Sequence, residues 1–348
     1  MPLLRAEWWE AHQPLVVFMW IILLVVPFAI VYGAGDTFET VLECIVNDYL
    51  TFIVLLFGLF CVSGNITVGG DFAGSPRVNA CLLALGTLLS SCIGTTGANM
   101  GGCLTPIGDS PLLMGFMRGV PFFWSMHLLP ILIFNLVILL FVFYHLDKKA
   151  YRKDIAEGRK PDISRPGTEF YIEGLHNIIL LAAFLSFKTT DSSIRTKNHF
   201  TWGAIKEVAV LFIGIFITMQ PALMLLKSVG PNLGISEPYQ MFWATGALSS
   251  FLDNTPTYLV FLTTAGTLGL TGGITTALGQ IPVNLLEAIS CGAVFMGANT
   301  YIGNAPNFMV KAISDENGVN MPSFFGYILW SLAFLVPVFI LDMLVFFL

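Results

Sequence analysis

Asp253 is the side chain most apt for chemistry. It lies in Gly246-Ala247-Leu248-Ser249-Ser250-Phe251-Leu252-Asp253-Asn254-Thr255-Pro256-Thr257, with apolar runs on both sides. An ionisable group at membrane depth costs about 3 kcal/mol or more and marks a functional site by default. A carboxyl in that setting can exchange a proton for a cation. Pro256 removes a backbone donor and disturbs its helix. The carbonyls thus freed, with the oxygens of Asp253, Asn254 and Thr255, form a set suited to a hard cation such as sodium. The competing reading is a carboxylate that caps a helix at the interface.

A second group follows in Gly297-Ala298-Asn299-Thr300-Tyr301-Ile302-Gly303-Asn304-Ala305-Pro306-Asn307, where Asn299, Asn304, Asn307 and Thr300 offer neutral oxygens and amides inside an apolar stretch. With Asp253 and Asn254, Asn299 completes a possible sodium ligand set. A broken helix here would aim amides or free carbonyls at an ion near the bilayer midplane; the bland alternative is an external loop. Thr105 and Asp109 lie in a similar segment. Ser249, Ser250, Thr95 and Thr96 join the candidates, although in the bland version such hydroxyls bond helix to helix. The remaining charges read as peripheral. Glu287 and Lys311 flank one apolar run, Asp342 can snorkel near the chain's end, and Arg77 and Arg118 border broken segments, where they could meet an anionic substrate.

These candidates fall in two matching series. Leu89-Ser90-Ser91-Cys92-Ile93-Gly94-Thr95-Thr96 aligns with Leu248-Ser249-Ser250-Phe251-Leu252-Asp253-Asn254-Thr255. Gly102 to Met114 aligns with Gly297 to Met309, sharing Thr-x-Ile-Gly-[Asp/Asn]-x-Pro-x-x-Met, with Asp109 opposite Asn304. The offset is 159 in the first match and 195 in the second, so repeat one is shorter by 36 residues between its motifs, at Ala98-Asn99. In repeat two that interval holds an apolar segment and a loop, so repeat one has either diverged or lost a helix.

The elements that must position these residues are membrane helices. Of 348 residues, 55% are hydrophobic and 11% charged, against about 25% charged in soluble domains. Pro14 to Ala34 run 21 residues without a charge, enough to span a bilayer of about 30 Å and too long for a signal peptide's apolar region. The sequence predicts an all-α polytopic membrane protein with one transport domain over 1–348. Its parts are a span at 14–34, repeat one at 49–146, a connector at 147–206 and repeat two at 207–348. Eleven of the 16 Lys and Arg lie between Lys148 and Lys206, which makes 147–206 cytoplasmic by the positive-inside rule. Residues 147–173 read as a hydrophilic loop, and 35–48, with four acids and no base, as belonging to the opposite face. The apolar piece 174–187 has 14 residues. At 1.5 Å per residue it reaches about 21 Å, short of a span, and reads as interfacial or re-entrant. The six Cys have no paired spacing and read as buried small hydrophobes. The His residues show no metal spacing. The net charge of −6 and the lack of a basic-aromatic pattern give no reason to expect nucleic acid. No nucleophile–base pair or phosphate loop suggests an enzyme.

The motifs resemble those of the ion transporter superfamily, which includes citrate, dicarboxylate and arsenite carriers and sodium:proton antiporters of the NhaD type. The likeness rests on Ser63-Gly64-Asn65-Ile66, on Leu104 to Leu112, on Ser249 to Thr257 and on Gly297 to Asn307. It implies an inverted-repeat fold with broken helices and two re-entrant hairpins, in which Asn254, Thr255, Asn299 and Thr300 fall at or near the binding site. It also implies a cell (inner) membrane location, no cofactor beyond sodium ions and protons as transported species, lipid as the surroundings and a homodimeric tendency. Asp253 would match the Asp that precedes Asn in the antiporter and arsenite branches. Departures are Ser110 where the family pattern has Pro, and missing sequence at Ala98-Asn99 and around residue 180. Sodium:proton antiport is the expected function. Sodium- or proton-coupled citrate or dicarboxylate uptake is the alternative, and a shortened member that does not transport is a third.

Overall fold

The computed structural model describes residues 6–63, 65, 67–69, 74–93, 100–158, 171–173, 188–197, 202–304, 307, 310, 311, 314, 315 and 319–348. The chain is an all-α polytopic membrane protein whose only sheets, among the described residues, are two short ribbons. Five stretches are long and apolar enough to cross a membrane: Ala11–Tyr32, Ala34–Gly58, Phe122–Ala156, Val208–Val229 and Phe324–Phe347. Their outward side chains include Leu15, Phe18, Val54, Phe141 and Phe325, all strongly exposed. In a bilayer these meet acyl chains instead of water.

The first helix, α1 (Ala6–Tyr32), begins earlier than the expected span and carries Pro14 and Pro27 within it. Helix α2 (Ala34–Glu43) passes through a π-turn (Cys44–Leu50) into α3 (Thr51–Ser63) without leaving the bundle. The second stretch long and apolar enough to cross a membrane thus begins at Ala34 and takes in residues 35–48, ahead of the apolar run expected from 49. Asp36, Glu39 and Glu43 are exposed along one side of the helix, while Asp48 turns inward. Repeat one continues with α4 (Pro76–Ile93), a 3-10 turn (Met100–Leu104) and α5 (Ser110–Met117). A second 3-10 turn (Phe122–Leu128) then leads into α6 (Leu129–Ala156). Residues 147–156 are therefore the last turns of α6 and not loop.

One face of the bundle is marked by basic residues. Strand β1 (Thr67–Gly69) pairs antiparallel with β2 (Tyr171–Glu173), and Asn79 Nδ2 at the start of α4 donates to Asp147 Oδ2 near the end of α6 at 2.9 Å. After the short α7 (Ser192–Lys197), α8 (Gly203–Val229) starts near this face, with Trp202 stacked on Phe57 of α3. Helix α8 has 27 residues, about 40 Å at 1.5 Å each, so it delivers the chain to the other face. Repeat two therefore enters from the side opposite to repeat one, which is the inversion.

From that far face α9 (Pro238–Ser249) runs inward, and α10 (Asn254–Thr267) runs back out. At about 18 and 21 Å, neither crosses a core of roughly 30 Å, and together they form a re-entrant hairpin. A ribbon of β3 (Ile274–Thr276) and β4 (Gly279–Ile281) turns the chain into α11 (Val283–Met296), which stops at a break beginning with the turn Gly297–Asn299. Helix α12 (Phe324–Asp342) ends the fold with a π-turn, Met343–Phe347. The core is centred on α11, buried almost throughout from Leu285 to Met296. Its closest partner is α9. A Cβ on Gly246 of α9 would collide with the Met296 side chain, and the missing side chain lets the two helices meet, as small residues do in membranes.

Repeat two's interval holds two helices and a ribbon, not the single apolar segment and loop expected. Among the described residues repeat one has no counterpart of α10 or α11; the junction at 98–99 lies outside them, as do most of 159–187, including the short segment 174–187. Cys44, Cys61, Cys103 and Cys291 are buried as expected, but Cys81 is exposed on the outer surface of α4.

Candidate functional site

Both breaks are held by the same hydrogen bonds. In repeat two, Ser250 Oγ donates to Met296 O at 3.0 Å, Thr300 Oγ1 donates to Ser250 O, and Gly303 N donates to Thr300 Oγ1 at 3.1 Å. In repeat one, Ser91 Oγ donates to Gly101 O, Thr105 Oγ1 donates to Ser91 O, and Gly108 N donates to Thr105 Oγ1 at 3.0 Å. Every partner in the second set differs from the first by the offsets read in the sequence. The serine ending each entering helix thus ties it to the broken helix beside it. The glycines match too. A Cβ on Gly108 would collide with Gly102 O, and one on Gly303 would meet Gly297 O at 2.5 Å.

Around the second break the polar atoms converge. Ser249 Oγ donates to Ala293 O at 2.7 Å. Asn299 Nδ2 donates to Ser250 Oγ at 3.0 Å, while its Oδ1 is buried and accepts no bond. Asn307, the third Asn of the motif, donates through Nδ2 to Gly297 O at 2.9 Å and to Thr300 O at 2.8 Å, closing the turn. Asn304 is buried, and its carbonyl accepts from Asn307 N at 3.1 Å.

The two repeats meet at Asp109 and Asn254. Asp109 stands at the N-cap of α5, and Asn254 opens α10. Asn254 Nδ2 donates to Asp109 Oδ1 at 3.2 Å and to Oδ2 at 3.4 Å, with both residues buried. Asp253 is half-buried and caps α10, its Oδ1 accepting from Thr255 N at 3.0 Å. Its carboxyl is near enough to Asp109 for the two acids to repel. Thr255 Oγ1 donates to Asn254 Oδ1 at 3.4 Å. The carboxylate on the Asn254 amide is therefore Asp109, from the other repeat, and Asp253 serves its own helix. Asn254 also packs against the break: a Cβ built on Gly297 would lie 3.7 Å from Asn254 Cβ. Thr95 and Thr96 lie outside the described residues.

A helix N-terminus carries about half a positive charge. Two of them, α5 and α10, point at one spot, and each already has an aspartate from the chain. Among the described residues no Lys or Arg bonds to Asp109, Asp253 or Asn254. Arg118, which borders the break, pairs instead with Asp48 of the π-turn, Nη2 to Oδ1 at 2.8 Å. Arg118 is thus no free membrane-edge cation. The arrangement can hold a proton or a small cation between carboxylates and neutral oxygens.

No curated protein matches the chain. A family model does match it, in three pieces that cover residues 1–100, 98–184 and 178–347. The pieces meet at the two places where the sequence is short. The chain is therefore a multi-pass membrane transporter of the ion transporter superfamily, and it belongs to the CitMHS_2 family, described as "Putative citrate transport".

Proposed function

We propose that the chain exchanges sodium for protons across the membrane. The observation that carries this reading is the Asp109–Asn254 contact between the two repeats, with Asp253 beside it and, among the described residues, no basic side chain bonded to the group. Sodium or a proton would compete for Asp109 and Asp253, and the unpartnered Asn299 Oδ1 offers a further oxygen. A carboxylate substrate would have to share two helix N-termini that the chain's own aspartates occupy. The second reading, sodium- or proton-coupled uptake of citrate or a related carboxylate, is favoured by the family description. In both, residues 147–206 face the cytoplasm, the protein sits in the cell membrane and it works as a homodimer.

The test is transport in proteoliposomes, measured for this chain and for Asp109→Asn and Asp253→Asn. Sodium-driven proton movement that Asp109→Asn abolishes supports antiport. Labelled citrate uptake that depends on sodium or pH overturns antiport in favour of the second reading. Silence from well-folded protein refutes both and fits the third, a shortened member that does not transport.

A further inference from the structure

Away from Asp109, a second acid is enclosed by the bundle. Asp342, the last residue of α12, has no exposed surface. Asn135 Nδ2, on α6, donates to both its oxygens, at 2.8 and 3.0 Å, and also to Ile131 O at 2.9 Å. Asn135 is itself fully buried, and its Oδ1 accepts no hydrogen bond. The helix widens into its π-turn immediately after Asp342, and such turns recur at functional sites. From α9, Trp243 Nε1 reaches Met343 Sδ at 3.0 Å. Among the described residues the titratable group within electrostatic reach of Asp342 is Cys291 of α11, which itself lies within reach of Glu287, with His127 near Glu287. Cys291 also lies within electrostatic reach of Cys103, and Cys103 within reach of Asp109.

A buried carboxylate with one amide donor and no cation is poorly compensated for a permanent charge. A carboxylic acid in the same place is well compensated. Its O–H can donate to Asn135 Oδ1, which has no donor, while Asn135 Nδ2 donates to the other carboxyl oxygen. The pair therefore suits both protonation states. We propose that Asp342 is a second proton-binding site of this protein, loading and releasing one proton (carboxylate plus proton giving carboxylic acid) with Asn135 as its fixed partner. Its part in the transport cycle rests on the proton-coupled reading above.

Infrared difference spectroscopy of the purified protein against pH tests the protonation without any transported ion. The expected result is a protonated-carboxyl stretch that titrates in the wild type, survives in Asp109→Asn and is lost in Asp342→Asn. The same titration unchanged in folded Asp342→Asn would overturn the proposal and leave the pair as a clamp between helices. Should Asp342→Asn fail to fold, Asn135→Ala serves: a shift in band position and titration midpoint supports the proposal, and an unmoved band refutes it. A band lost in Asp342→Asn, from protein that moves no protons in vesicles, sustains the site and refutes only the proton-coupled function.

Discussion

Replacing Gly303 by Ala tests the geometry of the second break. The added Cβ would meet Gly297 O at 2.5 Å and Ser249 O at 2.8 Å, both of them backbone atoms of neighbouring segments. Neither can swing aside as a flexible side chain would, so the break must open. Overpacking costs about 1–3 kcal/mol. With two backbone oxygens in the way, the upper figure applies, about 3 kcal/mol, or roughly a hundredfold in the unfolding equilibrium. The symmetry-related Gly108→Ala collides with Gly102 O in the same manner and should cost about as much. Gly58→Ala is the control. Position 58 lies inside α3 with nothing within 4 Å of the added carbon, and there alanine should be neutral or stabilise by up to about 1 kcal/mol. Denaturant unfolding of the purified protein in micelles gives all three numbers. Gly303→Ala as stable as Gly58→Ala would refute the claim that the helix break is a close backbone contact.

Three further outcomes are expected. Arg118→Met leaves the Asp48 carboxylate without its cation. Because both partners keep some exposure, 23% and 12% of their side chains, the loss should be about 2 kcal/mol, less than for a fully buried pair, and adding Asp48→Asn should recover most of it in the same unfolding assay. Ser250→Ala removes a hydroxyl whose one proton is shared between Gly246 O at 2.8 Å and Met296 O at 3.0 Å and whose oxygen accepts from Asn299 Nδ2; it should cost about 2 kcal/mol, whereas Ser91→Ala, which loses the bond to Gly101 O, should cost about 1, and equal losses would contradict the hydrogen-bond assignment. On the proposed antiport, Asn299→Ala should weaken sodium activation by about tenfold or more, read as the sodium concentration giving half-maximal rate.

The breaks were legible in the sequence because their signals are local. Gly, Pro, Asn and Thr inside apolar runs interrupt a helix wherever they fall, and the motif spacing carried over, partner for partner, into the hydrogen bonds of both repeats. The pairings between distant segments were not legible. Four acids in 35–48 read only as a mark of the face opposite the basic connector, because nothing nearby says that three lie on one exposed side of a helix and the fourth finds Arg118, 70 residues away. Asp342 looked peripheral from its position alone. The usable clue was a coincidence of two sites: Asn135 is a lone amide within one apolar run and Asp342 a lone acid within another. Polar groups surrounded by hydrocarbon must satisfy one another. The exchange of partners at the centre was equally hidden, since no spacing rule puts Asn254 on Asp109 instead of on its neighbour Asp253.

The shortness of repeat one has a consequence of parity. In repeat two the chain leaves the hairpin tip, descends α10, turns through the ribbon and climbs α11 back to the depth from which it set out. Repeat one omits that round trip. A closed excursion adds no net crossing, so its omission leaves every later segment facing the side it faced before. Loss of one of those helices alone would have turned the rest of the chain over and carried the eleven basic residues between Lys148 and Lys206 to the opposite surface, against the charge rule that orients membrane proteins. Length variation in this architecture should therefore come in there-and-back pairs, the smallest unit whose removal leaves the sidedness of the remaining chain unchanged.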